Sequence, residues 1–448
     1  MQPLWRKILL AVMATGFFVT VPFMLLRTAG YRWNPVKQSI ERTGIIEVES
    51  VPSGAAVWLD GQLQTSATPA SLRNLVPGDY DVRVYKAGYR DWSKRLTVES
   101  GRTVFTSKVT LLRDAAPSRI ASGDLADGAW SPNRLRMAAV KRGSGWHEVI
   151  VWHRTTADYA VLSRQADSDD HAAHALAWSP DGHKILHLNH RAAGTVATVY
   201  APDTVLDPEV VSSSLPADAY TGRWSSDNQH VILKGAHGVF LVSADGDEAT
   251  PLDVGADVLD AVAREDSALL LRRDGADRVA LERLALPSGR PERVAILPGG
   301  VTRFTEWRGA VAVAVDEDRG RTVTVDTLTG AMGDLGGTSY ERQRDTDAVI
   351  LWNEFEVYVG NLRTGESELI TRLGEPLSSC VWHPRGTIIV CASASRVFAV
   401  ELDDRGERNT WDLAAGERLE ALSVDPVAGR LYFLGTQGGN RGIYELGY

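Results

Sequence analysis

Histidine is the side chain type in this sequence most suited to chemistry, and its distribution is uneven. Seven of the ten histidines fall between His147 and His190. Neutral imidazole is a good ligand for Zn, Cu, Fe and Ni ions. The run Asp169-Asp170-His171-Ala172-Ala173-His174 sets carboxylates beside imidazoles in one segment. Asp169, Asp170, His171 and His174 are therefore candidate metal ligands, although a solvated acidic loop has the same composition. His183, His187 and His190 would share a face on a helix. On a strand, His183 and His187 lie about 13 Å apart at ~3.3 Å per residue, and His190 faces the other way. No site is expected from those three.

The two cysteines offer redox chemistry. Cys380 and Cys391 are equidistant from the turn sequence Pro384-Arg385-Gly386-Thr387. In a hairpin with that turn they oppose each other, at a distance a disulfide can span. Outside the cytoplasm they could be bridged; otherwise they are two buried thiols. No G-x-S-x-G nucleophile elbow, Walker loop or dinucleotide fingerprint is present. No catalytic residue and no cofactor are expected, and the expectation is a protein that is not an enzyme.

The elements that must position these residues divide the 448-residue chain into three parts. Residues 1–43 carry six Lys/Arg against one acid, residues 44–113 nine against seven, and residues 114–448 33 against 49. The net charges are +5, +2 and −16, which make up the total of −9. So acidic a third part argues against nucleic acid as a partner. Residues 8–26 contain no charge. As a helix they would span roughly 28 Å, close to the hydrocarbon thickness of a bilayer. Arg6 and Lys7 precede them, Arg27 and Arg32 follow, and Trp5, Tyr31 and Trp33 sit where interfacial aromatics belong. The reading is a single-pass anchor with the N-terminus cytoplasmic and the bulk extracytoplasmic. A cleaved signal peptide is the alternative, with an apolar stretch longer than usual for one.

In residues 44–113 period-2 strand patterns alternate with turn signals, and an antiparallel β-sandwich is expected. Gly44-Ile45-Ile46, Pro52-Ser53-Gly54-Ala55, Asp60-Gly61, Thr68-Pro69, Pro77-Gly78 and Gly88-Tyr89 follow in order. In order and spacing these resemble the PEGA domain, with Ser53 where that family usually has Glu. The resemblance implies a surface-associated β-sandwich of envelope proteins and no catalytic residue.

Residues 114–448 repeat. Ala129-Trp130-Ser131-Pro132 returns as Ala177-Trp178-Ser179-Pro180-Asp181-Gly182, as Arg223-Trp224-Ser225-Ser226 and as Val381-Trp382-His383-Pro384. Anchors at 130, 178, 224, 263, 307, 348, 382 and 424 have a mean spacing of 42 residues, the length of a four-stranded propeller blade. The Trp-Ser-Pro-Asp-Gly form resembles TolB-type and WD40-like repeats. The fold class is therefore mainly β: an N-terminal transmembrane helix, a PEGA-like sandwich and a β-propeller. Eight blades are expected, with seven the alternative through the weak anchors 263 and 348. Residues 117–121 would supply the missing strand of the last blade and close the ring.

Propellers bind through loops at a rim. The glycine-rich loops 141–147 and 436–441 lie in the first and last blades, which ring closure makes neighbours. Trp146, His147, Asn440 and Arg441 are the expected binding rim. The functional expectation is a membrane-anchored extracytoplasmic binding or scaffold protein facing another protein or an envelope polymer. Rival readings are a glycan- or peptide-cleaving propeller with paired carboxylates at the channel mouth, and a membrane-coupled sensor or assembly subunit.

Overall fold

The computed structural model describes residues 4–35, 37–166, 173–204, 207–253, 257–286, 289–344 and 346–448. Asp169, Asp170 and His171 lie outside them. The chain forms two compact units, Met1–Ala115 with Val400–Trp411, and Ala116–Ala399 with Asp412–Tyr448.

The first unit opens with the helix Leu4–Thr28, which carries Pro22 inside it. Its apolar side chains are exposed from Trp5 to Leu26. By length and composition it is the one helix among the described residues able to cross a membrane. A hairpin of Tyr31–Asn34 and Ser39–Arg42 follows.

The sandwich packs a three-stranded sheet against a four-stranded one. In the first, Gly44–Val51 lies between Ala70–Leu75 and Thr103–Thr110. In the second, the order is Gln62–Leu63, Ala56–Leu59, Gly78–Tyr85, Trp92–Val98. Strict alternation in Trp92–Val98 buries Trp92, Lys94, Leu96 and Val98 on one face. The expectation of a wholly antiparallel sandwich is corrected at one place: Gly44–Val51 pairs with Thr103–Thr110 in parallel. The intervening strands serve as the crossover that parallel pairing requires. Val400–Trp411 groups with this unit. Within it Lys94, fully buried, places its Nζ 2.9 Å from the Glu401 carboxylate, and the Trp92 indole donates to the same carboxylate at 2.8 Å.

The second unit contains eight four-stranded sheets among the described residues, seven of them built from strands consecutive in the chain. The first is Leu125–Trp130, Arg136–Gly143, Trp146–His153 and Asp158–Ala166; the second is Ala173–Trp178, Ile185–Arg191, Gly194–Tyr200 and Glu209–Val210. The last is Glu417–Asp425, Arg430–Gln437 and Asn440–Gly447, completed by Ser118–Ser122 from the start of the unit. Ser118 pairs with Glu445 and Ser122 with Gly442, so chain start and chain end share one sheet. This strand pattern, repeated in a ring closed by its own ends, is that of a β-propeller.

The repeated tryptophan acts between sheets. The Trp178 indole donates to the Ala129 carbonyl at 2.9 Å, that of Trp224 to Ala177 at 2.9 Å, and that of Trp130 to Ala421 at 2.6 Å. Each thus bonds the preceding sheet, in two cases just before that sheet's own Trp. The following serines, Ser131, Ser179 and Ser225, are fully buried. Ser179 Oγ donates to the Asp181 carboxylate, which also accepts the His183 amide. The motif is a locally closed turn. The anchor at 348 is a misplacement: Ala348 begins a second strand, Ala348–Trp352. The turn there is closed by Gln343 N to Ala348 O, as Ser179 N to Lys184 O closes its own. Arg342 therefore stands at the Trp position.

Candidate functional site

The four rim residues do not gather on one exposed surface. Trp146 pairs with Gly143 across its hairpin, and a Cβ at Gly143 would come within 2.1 Å of the indole. The Arg164 guanidinium lies 4.2 Å above the same ring. His147, next along the strand, points the opposite way and is fully buried, so its expected place on the rim is corrected. Arg441 is corrected likewise. Its guanidinium donates to the carbonyls of Leu125 at 2.9 Å and Arg418 at 2.5 Å and to the Glu420 carboxylate. It fastens first sheet to last instead of projecting. Asn440 is exposed, and its side chain donates to the Gly438 carbonyl at 3.2 Å.

Cys380 and Cys391 are directly opposite in register, as the symmetric turn predicts, and are joined as a disulfide.

A cleft of about 960 Å³ opens at the other end of the first strands. Turns that follow the first strand of four sheets line it, through Pro132, Gln343, Pro384 and Pro426, joined by Glu306 and Arg308. Arg134 binds Glu341 at 2.5 Å, Arg154 binds Asp425 at 3.1 Å, and Arg342 lies 3.7 Å from Glu306. The Tyr340 hydroxyl donates to Glu306, and burial beside that carboxylate pushes its pKa up. Burial raises the Glu341 carboxyl while Arg134 opposes the rise. Burial, with Arg385 adding to it, lowers His383 to about 4. Glu306, Glu341 and Asp425 are thus each met by an arginine. Arg308 and Arg344, both exposed, have no ion pair among the described residues. The cleft carries an excess of positive charge in a propeller that is acidic as a whole.

A third arrangement lies between the first and second sheets. His147 comes from the third strand of the first sheet, His174 and His187 from the first and second strands of the second. All three are buried. His174 pairs with Asn189 and Leu176 with His187, so the two histidines are diagonal neighbours on one face. His174 Nδ1 lies 3.0 Å from His187 Nε2, and the His147 ring centre is 4.6 Å from that of His174. Burial, then the nearby His174 and His147, lower His187 to about 3, keeping it neutral. Of the expected metal ligands only His174 is described. Its partners are His187, which spacing along a single strand excludes, and His147, expected on the rim. The signal that finds them is cross-strand register: the turn after Trp178 fixes which residues of the two strands are neighbours.

The fold defines the chain's class as a β-propeller protein with a small sandwich module and an N-terminal apolar helix. Residues 43–111 match the PEGA domain. Among solved structures, a Dos1 propeller is similar with a TM-score of 0.50 at 12% identity, over 75% of this chain and 95% of that one. An oligogalacturonate lyase in complex with manganese has a TM-score of 0.42 at 11% identity, over 72% and 97%. A prolyl endopeptidase has 0.42 at 13%, over 78% and 55%. No curated protein matches by sequence. The similarity to the Dos1 propeller establishes the propeller fold. A propeller fold alone does not distinguish a binding protein from an enzyme, so the expectation that this chain is not an enzyme has no support from it.

Proposed function

We propose that this chain is a membrane-anchored, extracytoplasmic binding protein whose propeller, read as eight-bladed, takes an acidic segment of a protein partner in its basic cleft. The observation that carries the reading is the pair of exposed arginines, Arg308 and Arg344, in a cleft whose three carboxylates are already met by other arginines. An arginine fork without a partner is suited to carboxylate groups. Tyr340 and Trp382 add aromatic surface beside it. The helix Leu4–Thr28 would hold the molecule at the membrane, and the PEGA match supports a location outside the cytoplasm.

The test is binding of a labelled oligo-glutamate to the full chain in detergent. Parent protein should bind it more tightly than oligo-lysine, and added salt should weaken the complex. The double variant Arg308→Glu/Arg344→Glu should lose roughly tenfold or more in affinity. Equal binding of the two peptides, or an unchanged double variant, overturns the reading. Protease treatment of intact cells tests the topology: residues beyond the helix should be cleaved from outside.

A further inference from the structure

We propose that His147, His174 and His187 form a binding site for one divalent transition-metal ion. Three strands from two adjacent sheets bring the imidazoles together, and each offers a ring nitrogen within 4.8 Å of the others. Two of those nitrogens, His174 Nδ1 and His187 Nε2, are 3.0 Å apart. Zn–N bonds of about 2.0–2.1 Å in a tetrahedron separate neighbouring nitrogens by roughly 3.3 Å. Small side-chain rotations therefore bring the set onto an ion without moving the strands.

The donor set selects the ion. Imidazole suits Zn, Cu, Ni and Fe, whereas Mg and Ca take oxygen ligands. Three protein ligands leave a fourth position for water or a small anion, the ligand count of a zinc site open to chemistry. A hydrogen-bonded pair of core histidines would account for His174 and His187. The third imidazole, His147, comes from the neighbouring sheet and lies 4.6 Å from one ring and 6.0 Å from the other. His174 retains 8% exposure against 0% and 1% for the others, so the site is reached past His174.

The test uses the full chain in detergent, stripped with chelator and titrated with Zn²⁺ and Co²⁺. One ion per chain is expected, with a Co²⁺ visible spectrum of four-coordinate type and a rise in melting temperature on Zn²⁺ addition. His174→Asn and His187→Gln keep an amide for hydrogen bonding but supply a poor ligand. Each should weaken Zn²⁺ binding by more than about tenfold. The exposed His183, changed to Gln, should leave binding unaltered and so excludes adventitious capture by surface histidines. No stoichiometric Zn²⁺ on the parent protein overturns the site whatever the variants do. So does binding that survives in both variants while they melt like the parent.

Discussion

His187 gives the clearest reading of what a single residue does. Its pKa of about 3 compares with an ordinary 6.5, and the first cause is burial. In the unfolded chain it takes a proton below about pH 6.5 that the native state refuses, so the unfolded state binds more protons there. The stability it contributes is whole above that pH and is lost as pH falls toward 3. His147, His174, His190 and Arg191 add repulsion against its charge. With chelator present to remove metal effects, parent protein should lose more stability than His187→Gln between about pH 7.5 and pH 5. Denaturant midpoints at the two pH values measure this, and equal losses would refute it. His383, held near 4 by burial, responds in the same direction but is common to both proteins and cancels. The sequence shows that histidines are crowded here, but not which of them meet. Distance along one strand separates His183 from His187, while the convergent set comes from strands that only sheet register and sheet neighbourhood bring together.

At the scale of the element, the Trp-Ser turn explains why the propeller was legible and where it was not. Trp178 uses its ring to pack and its indole N–H to reach the Ala129 carbonyl of the preceding sheet. The buried serine behind it ties the turn internally. Those two demands recur in several sheets, so the motif recurs in sequence. In the sheet of Ser339–Arg342 the position is filled by Arg342, bonded to Asp347 at 3.0 Å. The charge contact from Arg342 to Glu306 of the preceding sheet, 3.7 Å, stands where the indole bond would, so the Trp-Ser pattern is missing there and position 348 is misplaced. Trp178→Phe removes the N–H, leaving the carbonyl without that donor, and also shrinks a buried ring that packs between the sheets. A loss of about 1–3 kcal/mol in unfolding free energy is expected. The same substitution at the exposed Trp33 should be within about 0.5 kcal/mol of the parent. Equal effects at the two positions would show that the inter-sheet bond carries no stability.

On the scale of the whole molecule, the question is what keeps a ring of sheets shut. The sequence makes the closing strand legible because residues 117–121 have no partner among their chain neighbours and the last unit is one strand short. The structure pairs Ser118–Ser122 with Asn440–Gly447. Trp130, Trp152 and Tyr432 meet beside this junction, with ring centres 6.0 to 6.1 Å apart. Arg441 bonds the Leu125 backbone across it. Gly442 is the position where closure is most exposed to change. A Cβ there would stand 2.1 Å from the Ala121 carbonyl oxygen, closer than any relaxed contact. The obstacle is backbone, so it cannot be relieved by turning a side chain. Gly442→Ala should therefore push Ser118–Ser122 away and lower stability by about 1–3 kcal/mol. A ring cannot open at one sheet alone. Hydrogen exchange should accordingly accelerate both in Leu125–Trp130 and in Glu417–Asp425, on the two sides of the seam. Gly374, with open space around its Cβ position, provides the matched control, and Gly374→Ala should leave both segments as protected as before. Acceleration confined to Ser118–Ser122 would mean that this strand covers an edge without holding the ring.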